Sequence, residues 1–117
     1  MRTLIAFDKF KDSLTAPDAC VIAARALAAQ QPGWRVESCP LADGGEGFSD
    51  ILTRSINGQR VDREVTGPRG GRQAAGLGLV THESIPPAAR ILLGLAAGNE
   101  SGHRVAVIEM ATASGLA

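Results

Sequence analysis

Apolar residues open the chain in a short unbroken run, Thr3 to Phe7, that stops at the charged cluster Asp8-Lys9-Phe10-Lys11-Asp12. Such a run, closed by charges, predicts a buried strand leaving its sheet. Thr15 stands three residues ahead of Asp18 with Pro17 between them, a helix-start pattern. Ala19, Ile22, Ala23, Ala26 and Leu27 then recur at i, i+3, i+4, i+7 and i+8, which predicts one apolar helix stripe, and Pro32-Gly33 ends it. Trp34, Val36 and Ser38 alternate with Arg35 and Glu37, giving a second strand that closes at Cys39-Pro40. The loop Ala42-Asp43-Gly44-Gly45-Glu46-Gly47 opens a second helix, with an expected stripe of Phe48, Ile51, Leu52, Ser55 and Ile56 and a left-handed end at Asn57-Gly58. Strand, helix, strand, helix in this order is the rhythm of a parallel α/β sheet.

Beyond Gly58 the pattern changes. Gln59–Val65 and Gln73–Val80 flank the turn-rich Thr66-Gly67-Pro68-Arg69-Gly70-Gly71, which predicts a β-hairpin or a bend between paired strands. Pro86-Pro87 opens a short helix expected over 88–97, Gly98 to Gly102 is loop, and Arg104 to Glu109 is one more buried strand. A domain boundary is expected near residue 60, separating 1–60 from 61–117.

Composition narrows the function. The chain has 117 residues, 12 Lys+Arg against 12 Asp+Glu and no net charge. Without a concentrated positive face, a nucleic-acid backbone is not an expected partner. The four aromatics, Phe7, Phe10, Trp34 and Phe48, are too scattered for a base-stacking platform. The N-terminal apolar run is too short for a signal sequence or a membrane span. Cys20 and Cys39 form no CxxC, which points to two reduced thiols in a cytoplasmic protein.

Three strand ends carry candidate chemistry. Lys9 and Lys11, the only lysines, follow the first strand, where open α/β sheets bind ligands. They are either solvated loop charges or ammonium contacts to a phosphate or carboxylate, with Ser13 adding a hydroxyl. In the second loop, Gly44, Gly45 and Gly47 let the backbone approach a ligand, and the helix N-terminus behind them favours an anion. Asp43 and Glu46 suit Mg²⁺ or a substrate hydroxyl; alternatively, Asp43 is an N-cap and Glu46 completes a capping box. Glu109, Ser114 and Gly115 close the last strand, so all three ends are expected to share one cleft. No GxxxxGK[ST] occurs, Gly76-Leu77-Gly78 is no dinucleotide fingerprint, and His82-Glu83 lacks the second His of a zincin.

Four blocks carry more than their physics. Asp8-Lys9-Phe10-Lys11-Asp12-Ser13-Leu14, Pro40-Leu41-Ala42-Asp43-Gly44-Gly45-Glu46-Gly47, Val65-Thr66-Gly67-Pro68 and the stretch from Ile108 to Leu116 together resemble the bacterial type-1 glycerate kinases. Lys9 stands where the family's first block usually has Ser, and Phe48 where its second usually has Thr. The resemblance implies transfer of the ATP γ-phosphoryl group to D-glycerate, at the 2-hydroxyl, with Mg²⁺. It implies a flavodoxin-like parallel sheet beginning in 1–60 and a second, inserted α/β domain beginning in 61–117, the chain being about the N-terminal third of such an enzyme. On this reading Asp43 and Glu46 are catalytic, with Asp43 also a metal ligand. Asp8, Lys11, Ser13, Gly44, Gly45, Glu109 and Ser114 bind substrate or phosphate. Lys11, which matches the family block, is expected to meet the anion, and loss of Lys9 to be nearly silent. The competing expectations are a non-catalytic module binding a phosphorylated metabolite and an inactive truncated product.

Overall fold

The computed structural model describes residues 1–95 and 102–114. β1 (Arg2–Ile5) and β2 (Arg35–Ser38) pair in parallel, with Arg2 opposite Arg35 and Ile5 opposite Ser38. The crossover between them is α1 (Ala16–Gln30). Thr15 caps it: the Thr15 hydroxyl accepts from the Asp18 amide and donates to the Asp18 carboxylate at 2.6 Å. That satisfies one of the amides that a helix start leaves without an internal partner.

The face of α1 that meets the sheet differs from the expected stripe. Ala16, Ala19 and Cys20 are buried, whereas Ile22 is 54% exposed. Small side chains let the helix lie close to a two-stranded sheet; the Cys20 thiol sits 3.8 Å from the Ile5 carbonyl. The first strand is not buried along its length either. Ile5 faces α1, but Leu4 is 64% exposed because one helix covers only one face of the pair.

The second sheet is antiparallel, in the order β3-β4-β5. β3 (Gln59–Thr66) and β4 (Arg72–Thr81) form the expected hairpin. Its turn is closed by the Gly67 amide on the Gly71 carbonyl at 2.8 Å, with Gly70 left-handed at φ 77°. β5 (Arg104–Ile108) adds to the other edge of β4. It too is one-sided rather than buried: Ile108 is 64% exposed while Glu109, just past its end, is enclosed.

α2 (Phe48–Ser55) lies across this second sheet. Its buried residues are Ser49 and Thr53, not the predicted stripe; Leu52 and Ser55 are exposed. The cause is in β4. A Cβ on Gly78 would overlap the Thr53 side chain, so the helix is seated on bare backbone. Only small side chains fit that approach, and Thr53 hides its hydroxyl on the Ser49 carbonyl at 2.5 Å. Gly76-Leu77-Gly78 is thus a close-packing device. Asn57 ends the helix region left-handed, at φ 55°, as expected.

After β4, a 3-10 turn (His82–Ser84) leads to α3 (Pro87–Leu92), which is shorter than the expected 88–97; residues 96 and 97, and the predicted loop residues 98–101, lie outside the described ones. α4 (Met110–Ser114) follows β5, fastened by the Gln73 side-chain amide, which donates to the Thr112 and Ala113 carbonyls. The architecture is therefore mixed α/β, one parallel strand pair and one three-stranded antiparallel sheet. Among the described residues no helix is long and apolar enough to cross a membrane.

Candidate active site

The C-terminal ends of β1 and β2 release two loops side by side, tied by the Leu41 amide on the Phe7 carbonyl at 2.8 Å. Between them and the start of α2 lies a cleft of about 810 Å³, lined by Asp8, Lys9, Lys11, Ser13, Glu46 and Gly47 among others. The first loop is a tight turn: Phe10 and Leu14 exchange backbone hydrogen bonds, and Asp12 is left-handed at φ 59°. That turn sets Lys11 and Ser13 on the cleft wall. Asp8 accepts from the Lys9 amide at 2.7 Å and shapes the same corner.

The second loop is held by charge. Asp43 Oδ1 accepts from the Gly45 amide at 2.8 Å, and the Lys9 ammonium lies 3.6 Å from the same oxygen. Lys9 Nζ also donates to the Glu46 carbonyl at 3.2 Å. Gly44 and Gly47 are left-handed, at φ 89° and 91°, a backbone that side chains resist. A Cβ on Gly45 would stand 2.9 Å from both Asp43 Oδ1 and Lys9 Nζ, so that glycine is required by the contact above it. The Gly45 amide first, and the Lys9 charge second, hold the Asp43 carboxyl below its ordinary range. The side chains of Lys11 and Glu46 have no hydrogen bond or ion pair among the described residues. Lys9, expected to be dispensable, is the one that grips the loop. Its position at a strand end, which it shares with Lys11, is the available signal; the block match alone favours Lys11.

The N-terminus of α2 is not open to an outside anion. Glu109, 2% exposed, reaches it from the end of β5: Oε2 accepts from the Gly47 amide at 3.1 Å, the Ser49 amide at 3.0 Å and the Ser49 hydroxyl at 3.2 Å. A carboxylate at this end complements the helix dipole and satisfies its free amides. The capping-box alternative is corrected as well, because the N-cap is Gly47 and not Asp43, and no side chain of the loop caps the helix.

Two of the three strand ends thus share the cleft. Asp8, Lys11, Ser13 and Glu46 line it; Asp43, Gly44 and Gly45 stand behind Lys9 and Glu46; Glu109 supports the wall from beneath. Ser114 is exposed at the end of α4 and does not line the cleft, and Gly115 lies outside the described residues. Among the described residues no three His, Cys, Asp or Glu side chains gather as a metal site. The hydrogen bond and ion pair of Asp43 both fall on Oδ1, so this carboxylate and that of Glu46 still offer hard oxygen donors. One or two such carboxylates, with substrate phosphates and water, are a Mg²⁺ ligand set, so these residues fit that ion.

A sequence model of the glycerate kinase family matches residues 3–117. The chain belongs to the glycerate kinase family. A glycerate kinase of Bacillus subtilis (strain 168) is 35% identical over 116 residues, covering 99% of this chain and 25% of its own length. A glycerate 2-kinase of Escherichia coli (strain K12) is 29% identical over the same share of each. A crystal structure from Salmonella typhimurium LT2, assigned as a glycerate kinase 2, superposes with a TM-score of 0.60 at 33% identity, over 77% of this chain and 28% of that one. The chain spans about a quarter of the length of these curated relatives, less than the third that the resemblance suggests.

Proposed function

We propose that this chain supplies one wall of the active site of a cytoplasmic, ATP-dependent D-glycerate kinase. The observation that carries the reading is the cleft itself. In a chain of this family, it sets the Lys11 ammonium in one pocket with the Glu46 carboxylate, both without a hydrogen bond or ion pair among the described residues. A small hydroxy acid with a carboxylate of its own needs both kinds of group. The Lys11 ammonium holds an anionic oxygen of glycerate or of the triphosphate, and Ser13 adds a hydroxyl.

The reaction joins the glycerate hydroxyl oxygen to the γ-phosphorus while the bond from that phosphorus to the ADP oxygen breaks. The hydroxyl proton must leave, and Glu46, whose residue lines the cleft, accepts it. Asp43, whose affinity for a proton is lowered by Gly45 and Lys9, stays a fixed negative charge behind Glu46 and serves the metal rather than the proton. Mg²⁺, held by Asp43 together with substrate phosphates and water, would neutralise phosphate charge. The remaining wall, including the nucleotide cradle, comes from elsewhere in the enzyme, and we propose a domain boundary near residue 60.

The test is ADP release by the full-length protein with D-glycerate, against L-lactate as control, with the phosphorylated product identified by NMR. Release that depends on D-glycerate, at one equivalent per phosphoglycerate formed, supports the reading. Binding of glycerate without ADP release would instead make this a phosphometabolite-binding module.

A further inference from the structure

Lys9 spans the space between the two loops of the cleft. It starts from the first loop and ends on the second, with its ammonium 3.2 Å from the Glu46 carbonyl and 3.6 Å from Asp43 Oδ1. Its side chain is 31% exposed, well below the 64% of Asp43, so much of it is covered by the loops it joins. It also touches the space where a Gly45 side chain would be. A charge so placed fixes two things at once: the path of the Asp43 to Glu46 backbone, and the direction in which the Asp43 carboxylate faces.

We propose that Lys9 is a positioning residue, clamping the glycine loop through Asp43 Oδ1 and the Glu46 carbonyl so that Glu46 and Gly47 stand on the cleft wall. The proposal rests on the kinase reading for its catalytic consequence, though not for the clamp itself. A flexible loop of left-handed glycines has many conformations, and one ion pair plus one charge-assisted hydrogen bond selects among them. Lys9 therefore acts on the reaction through the groups it holds, whereas Lys11 acts by direct contact.

The experiment compares Lys9→Met and Lys9→Arg in the full-length protein, with two readouts. The first is amide exchange of Gly44 to Gly47, measured without substrate. Lys9→Met is expected to speed it at least about tenfold, and Lys9→Arg to restore most of the protection. The second is turnover: Lys9→Met lowers kcat about tenfold with little change in KM for ATP. In an Asp43→Asn background the same change has a smaller effect, because only the contact to the Glu46 carbonyl is left to lose. Unchanged exchange in Lys9→Met overturns the clamp. Faster exchange with wild-type kcat, or full additivity with Asp43→Asn, overturns the positioning role. A protein that shows the exchange effect but releases no ADP with D-glycerate leaves the clamp standing and refutes the kinase reading alone.

Discussion

Asp43 and Lys11 are the residues whose replacement separates chemistry from architecture. In Asp43→Asn the side-chain carbonyl still accepts from the Gly45 amide, so the loop's turn survives while the charge is lost. The expected outcome is a kcat at least about a hundredfold lower, with an almost unchanged melting temperature, read from steady-state kinetics beside a thermal scan. Lys11 has no partner among the described residues, so Lys11→Met should leave stability alone and raise KM for glycerate or ATP about tenfold or more, the cost of one charge-assisted hydrogen bond. The pH dependence follows from the sign of the Asp43 shift. A carboxyl whose folded value lies below its unfolded one contributes stability that is complete above the unfolded value and is lost as pH falls through the folded one. The loop should therefore stay fastened across neutral and mildly acidic pH and loosen only below the ordinary carboxylate range. An NMR titration of the Asp43 carboxyl checks this, and its midpoint should rise in Lys9→Met.

At the scale of elements, α2 is decided by two contacts far away in sequence. Glu109→Ala removes the acceptor of two amides and a hydroxyl in a buried position, and hydrogen bonds to a charged group are worth about 1.5–3 kcal/mol each. A loss of at least about 3 kcal/mol in urea denaturation of the full-length protein is expected, with Glu109→Gln, which keeps an acceptor, losing less. Gly78→Ala should cost about 1–3 kcal/mol by overpacking against Thr53. Thr53→Ala in the same chain should recover part of it, a non-additivity that a double-mutant cycle measures.

The same contacts mark what the sequence could and could not reveal. The Thr15 cap, the parallel β1-β2 pair and the β3-β4 hairpin follow from local chemistry, and each forms where the pattern of residues 1–81 predicts. The faces of α1 and α2 do not. A hydrophobic stripe assumes that the partner surface wants bulk, but β4 presents glycine backbone to α2 and therefore selects Ser49 and Thr53. The three loops were legible as polar strand ends. That one carboxylate of the third loop would fill the helix N-terminus of the second depends on the pairing of β5 with β4, which no local spacing encodes.

For the molecule as a whole, the surface is the telling quantity. The chain exposes 8329 Å², where a finished globular protein of 12.1 kDa exposes about 6000 Å². The buried apolar set among the described residues is small, Ile5, Ala16, Ala19, Cys20, Val80 and Ile85, while Leu92, Met110, Ile91 and Leu4 lie 64% or more exposed. Open strand edges and uncovered apolar side chains invite association. We therefore expect the 117-residue chain on its own to be partly unfolded or aggregated and to release no ADP. A purified preparation should show weak amide protection, and glycerate-dependent turnover by it would mean that one wall suffices for catalysis. A kinase must hold two substrates in line and exclude water, which takes both sides of a cleft.

The bond from Glu109 to the Gly47 amide also sets an order in time. Its two ends are 62 residues apart, and ribosomes add about 5–20 residues each second. The glycine loop thus leaves the ribosome about 3–12 s before the residue that anchors its helix. Until β5 pairs with β4, α2 begins with free amides and its own N-terminus carries no anion. The proposed substrate wall is then among the later parts of this segment to become rigid, and a nascent chain arrested between β4 and β5 would display its signature loop while still unable to hold it in place.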